Sequence, residues 1–158
     1  MATLTTTFST FSSVTRSGSI GVGWTNTSDA QTSNNARASL STSPSSSGYT
    51  NYIQATGLTD ALPAGAVVTG IKVVVERRDA NNSAKDSQVK LVIGGTVTGT
   101  DKADTSTTWP SSDAVANYGG STDMWGTTPT LDQLNASDFG VVISVLVDSG
   151  LAEPGGGL

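Results

Sequence analysis

The chain has 158 residues, only 13% of them charged, and a formal net charge of −5. Eight Lys and Arg in total, with only Arg77 and Arg78 adjacent, cannot form the clustered basic surface that a phosphate backbone requires, so nucleic acid is excluded as a partner. The absence of Cys and His removes disulfides, thiolate nucleophiles, imidazole bases and the commonest transition-metal ligands.

The polarity comes instead from 22 Ser and 24 Thr, which suit strands and turns better than helix interiors. A chain of this length is most economically one domain, able to bury roughly 68–70% of its unfolded surface. The start lacks a basic region followed by an apolar one, and no run approaches about 18 apolar residues, so the expectation is a soluble protein made in a cytoplasm, with no membrane partner.

Residues 1–60 are hydroxyl-rich, yet Phe8, Phe11, Val14, Ile20, Val22 and Trp24 recur at intervals that let short strands reach a core. Residues 1–23 are read as an N-terminal strand or arm, 24–148 as the main domain and 149–158 as a glycine-rich tail. Asn34-Asn35 and the Ser-rich run after Pro44 mark loops. A strand is expected over residues 49–55, paired to the one near Ile71.

The stretch from Leu62 to Arg78 reads as the central strand. Pro63-Ala64-Gly65 makes a turn, Gly70 marks a bulge or close backbone approach, and Ile71, Val73 and Val75 alternate with Lys72, Val74 and Glu76. A polar loop over 79–86 precedes a strand over 87–93, and Gly94-Gly95 before residues 96–100 signals a two-residue hairpin. Trp109, beside Pro110 in a loop, is expected to be a hydrophobic plug. Residues 117–126 read as a tight irregular turn, and 131–135 as one helical turn. Residues 139–147 form a second long strand with Val141, Ile143, Val145 and Val147 on one face.

The expected fold class is therefore all-β: an antiparallel β-sandwich, jelly-roll-like, with Ile71, Val73, Val75, Leu91, Val141, Ile143 and Val145 mostly buried. No acidic residue stands in a sharply apolar setting, so no enzyme activity, catalytic residue or cofactor is expected. Asp79, Asn81, Asn82 and Asp86 could offer oxygen to calcium, but they lack the glycine and closing Glu of an EF-hand loop, and no metal is expected.

Trp24, residues 62–66 leading into Gly70-Ile71-Lys72-Val73, the Gly94-Gly95 hairpin, Trp109-Pro110, residues 118–126 and Phe139-Gly140-Val141 together resemble small β-sandwich virion proteins of tailed bacteriophages, of the capsid cement or decoration type. The resemblance spans roughly Trp24 to Val147. It implies a structural protein of the virion that binds the outer capsid surface and bridges subunits of the major capsid protein, with self-association as a homotrimer. It also implies a further strand after Asp148, where this chain turns glycine-rich. Alternatives are a tail, neck or fibre component, or a carbohydrate-binding module or adhesin using Trp109, Tyr118 or Trp125. Leu4, Phe8, Phe11, Tyr118 and Trp125 are the expected interface residues, the first three because an uncharged apolar arm needs cover from a neighbouring subunit or the capsid.

Overall fold

The computed structural model describes residues 2–148. In chain order the elements are β1 (Phe8–Val14), β2 (Trp24–Thr25), a 3₁₀ turn (Thr27–Gln31), β3 (Ser39–Leu40), β4 (Gly48–Tyr49), β5 (Tyr52–Leu58), β6 (Lys72–Arg77), β7 (Lys85–Ile93), β8 (Thr96–Thr98), β9 (Ala114–Gly119), α1 (Leu131–Leu134) and β10 (Gly140–Val147). Six strands make one sheet in the order β1-β5-β10-β7-β8, with β4 joining the far end of β10. The two-stranded sheets β2-β3 and β6-β9 pack against the same core as a second layer, and every pairing is antiparallel. The fold is an all-β, sandwich-like arrangement of antiparallel sheets.

The centre of the large sheet is β10. One edge pairs with β7 along its length, while the other pairs first with β5 and then with β4. The break between β4 and β5 is bridged by buried Thr50: its N–H donates to the Val145 carbonyl (2.9 Å), and its Oγ1 accepts from the Val145 N–H (3.1 Å). Val141, Ile143, Val145 and Val147 face the second layer. Val142 and Ser144 point the other way and are buried too, because Gln54 and Lys90 flank Val142 and Arg16 lies across Ser144, donating to its Oγ at 2.8 Å. A strand covered on both faces reads as a continuous apolar run, which is how this one reads.

The expected central strand lies elsewhere. Only Lys72–Arg77 of that stretch is strand, and its sole strand partner among the described residues is β9. Ile71, Val73 and Val75 are half-buried against the core rather than inside it. With Lys72 and Val74 exposed on its outer face, β6 buries only one side, and it lies in the two-stranded pair rather than in the large sheet. The strand over 49–55 expected to pair near Ile71 is β5, and it pairs with β1 and β10 instead.

Other local features follow the sequence closely. Gly94 and Gly95 have φ of 59° and 71°, the left-handed pair that a tight two-residue hairpin needs between β7 and β8. Gly70 is a close approach: a Cβ there would lie 2.3 Å from the Gly120 carbonyl oxygen. α1 is a single turn closed by a Thr130/Gln133 capping box. The first half of the expected irregular turn over 117–126 is strand to Gly119, and the turn proper follows.

The N-terminal segment is woven into the large sheet. β1 pairs with β5 from Phe8↔Leu58 to Val14↔Tyr52, and its outer edge is blunted by Thr27 Oγ1 and Gln31 Nε2, which donate to the Phe11 and Phe8 carbonyls. Among the described residues β10 has neighbours on both edges, β7 on one and β5 then β4 on the other. The expected further strand after Asp148 and the tail over 149–158 lie outside the described residues.

Candidate functional site

The chemically densest point of the described chain is a carboxylate with no exposure to solvent. β7 opens with Lys85-Asp86, and between Asp86 and Gln88 the ladder with β10 slips by one residue: Ser144 pairs with Gln88 but Val145 with Asp86. This bulge sends Ser87 and Gln88 to the outer face together, where Ser87 Oγ accepts from Arg16 Nη1 at 2.7 Å, and turns Asp86 inward. The inward face of the β6-β9 ribbon brings Arg77 and Tyr118 over it, and the loop before β9 supplies Trp109.

Asp86 is 0% exposed and accepts from four donors. Oδ1 takes Arg77 Nη1 and Trp109 Nε1 (2.7 Å); Oδ2 takes the Tyr118 hydroxyl (2.9 Å) and the Asp104 backbone N–H (3.1 Å). Arg77 Nη1 also donates to the Tyr118 hydroxyl at 2.8 Å, and its guanidinium stands 5.2 Å from the Trp109 ring. Burial, reinforced by the Asp86 charge, pushes the Tyr118 phenol well above its ordinary value, so it stays a neutral donor. With its acceptor positions filled and its carboxylate sealed, this cluster ties β6, β7, β9 and the 101–109 loop together rather than meeting a substrate.

Neighbouring acidic groups are used the same way. Asp79 accepts from the backbone N–H groups of Asn81, Ser83 and Ala84 and from the Ser83 hydroxyl, closing its own loop. Burial alone would raise its pKa, but these donors outweigh burial and hold it below the ordinary 3.8. Asp79 is taken up by its own loop and Asp86 by Arg77, Trp109 and Tyr118, so the two carboxylates considered for calcium serve separate internal tasks. Asp123 pairs with Lys102 at 2.6 Å; that bond, and the Trp125 N–H, lower its pKa. Among the described residues no three acidic side chains converge as a metal site.

The expected interface residues separate into two groups. Tyr118 and Trp125 are buried: Tyr118 in the Asp86 cluster, Trp125 with its indole N–H on the Ile71 carbonyl at 2.9 Å. Trp109 is buried as well, so none of the three rings presents a face for sugar stacking, and the carbohydrate-binding alternative loses its residues. Amphipathic rings with an internal hydrogen-bond partner are core anchors here. Phe8 and Phe11 are half-buried against the core, with Phe8 and Phe139 rings 6.4 Å apart, while Leu4 is 46% exposed.

The Asp86 cluster is what sequence reasoning missed. Strict alternation from Val89 and Leu91 places Asp86 on the wet face, and only the bulge reverses it. An open groove of ≈ 360 Å³ lies beside β8, lined by Ile93, Thr96, Thr98, residues 126–129 and Gln133, with no ionisable group among these walls. No protein-family model, no curated protein and no solved structure matches the chain.

Proposed function

We propose that the protein is a non-enzymatic structural component of a tailed-phage virion, acting as a capsid decoration protein that binds the outer surface of the head and bridges subunits of the major capsid protein. The observation that carries the reading is the motif resemblance; the Asp86 cluster, closed to solvent, suits it because the densest polar constellation of the described chain serves the fold. Side chains of the kinds that elsewhere perform chemistry here make a rigid small sandwich. The motif resemblance around residues 62–73, 109–110, 118–126 and 139–141 supplies the virion context, and the hydroxyl-rich, weakly charged surface suits wide polar contact with a shell.

A tail, neck or fibre component is the second reading, since the same rigid sandwich serves there. Cryo-electron microscopy of tailed-phage particles assembled with and without the chain separates them. Density on the outer capsid that disappears with the chain supports decoration, and density on the tail supports the second reading. Particles of unchanged composition and stability that never contain the chain overturn both.

A further inference from the structure

The β6-β9 ribbon turns Val73, Val75, Ala116 and Tyr118 toward the core, which leaves Lys72, Val74 and Glu76 of β6 and Val115 and Asn117 of β9 on its outer face. Val74 is 58% and Val115 62% exposed, and the register, with Val74 opposite Asn117 and Glu76 opposite Val115, makes the two valines diagonal neighbours. Scattered exposed valines are ordinary. What distinguishes this pair is the charge order around it. Lys72 and Glu76 lie two residues to either side of Val74 on the same face, roughly 13 Å apart along the strand, with Arg78 following just beyond the end of β6, so within β6 the face is antisymmetric in charge about Val74.

We propose that this face is a self-association surface whose occupant is a second copy of the chain, laid antiparallel across it on a two-fold axis at Val74. That arrangement sets Lys72 of each copy against Glu76 of the other and Val74 against Val74, an isologous contact that satisfies both ends with one operator. A parallel arrangement would oppose like charges. Glu76 is presented toward this face while also accepting from Ser33 Oγ, and the nearby Arg37–Asp113 pair at 2.5 Å is internally neutralised, so neither adds a competing net charge. A ribbon of six residue pairs is small beside the roughly 800 Å² per partner of a standard interface. The dimer is therefore weak in solution and strengthened wherever copies are held side by side in an array.

The proposal extends the structural-component reading, and the two fail separately, since particle composition says nothing of this contact. The test is sedimentation equilibrium of the full chain up to millimolar concentration. The expected result is a monomer–dimer equilibrium that Val74→Asp weakens at least about tenfold, equivalent to about 1.4 kcal/mol. Lys72→Glu and Glu76→Lys should each abolish self-association, an equimolar mixture of the two should restore a dimer, and the double variant should dimerise like the parent. The mixing experiment guards against misfolding, because unfolded variants would not rescue each other. A chain monomeric at every concentration, a trimer indifferent to these substitutions, or single variants that dimerise normally would overturn the proposal.

Discussion

In the large sheet, β10 is hydrogen-bonded along both edges and buried on both faces, and its hold on the core is divided among Val141, Val142, Ile143, Val145 and Val147. The β6-β9 ribbon has a single ladder, half-buried Ile71, Val73 and Val75 beneath it, and one saturated polar cluster joining it to β7. Apolar burial is additive and non-directional, so losing one methylene from the sheet removes a small share. A buried carboxylate is different, because removing it strands the charge of Arg77, whose side chain is only 10% exposed. The two layers should therefore fail differently.

The largest test of that contrast is Asp86→Ala. It leaves Arg77 and the Tyr118 hydroxyl without their acceptor and should lower stability by about 3–5 kcal/mol in denaturant melts. Amide exchange should quicken in β6, β9 and residues 101–109 before β10. If β10 exchanges as early as β6, the layers are one cooperative unit and the contrast is wrong. Gly70→Ala comes next: its Cβ would stand 2.3 Å from the Gly120 carbonyl oxygen and must push the ribbon's entry strand away from the 120–121 backbone, at about 1–3 kcal/mol. In the sheet, Ile143→Val removes one methylene from the same kind of depth and should cost only about 0.5–1.5 kcal/mol with no regional change in exchange.

The pH dependence sharpens the comparison, because both limbs report on the ribbon side. The folded pKa of Tyr118 is raised above its ordinary 10.0, so its contribution is complete below pH 10 and is lost as pH rises beyond it. The Asp79 value is lowered, so its contribution is present above pH 3.8 and is lost as pH falls below that value. Replacing Tyr118 by Phe should flatten the alkaline limb measured by thermal melts, and replacing Asp79 by Asn the acid one. Unchanged limbs would place the responsible groups elsewhere. The smallest effect is expected from removing residues 1–6, which precede β1 and touch the rest through Thr6 and its bonds to Thr59 and Asp60; a change within about 0.5 kcal/mol is expected.

Much of the architecture was legible in the residues. The Gly94-Gly95 hairpin, the helical turn at Leu131, the inward face of β10 and the burial of Trp109 all follow from local chemistry: glycines that take left-handed φ, a Thr-x-x-Gln box, and period-two alternation. The ranking of the strands was not. Residues 66–76 and 139–147 both look like core strands, and what separates them is pairing: β6 has β9 alone beside it, while β10 is flanked on both edges. Tyr118 and Trp125 were legible as anchors but not as anchors for the chain's own core, because a ring with a hydrogen-bonding tip suits an interior pocket and an intermolecular one equally.

By itself the amino-acid sequence determined the class of fold and the core face of β10 with Leu91, since alternation, β-branching and turn glycines act over a few residues and need no distant partner. Only the tertiary structure decided which strand is central and which way Asp86 faces. The first depends on pairings between residues dozens of positions apart, and the second on one extra residue in the β7 ladder, which reverses every face upstream of it. A period-two reading has no way to register that slip, and with it the sole fully buried charge among the described residues moves from the surface to the junction between the two layers.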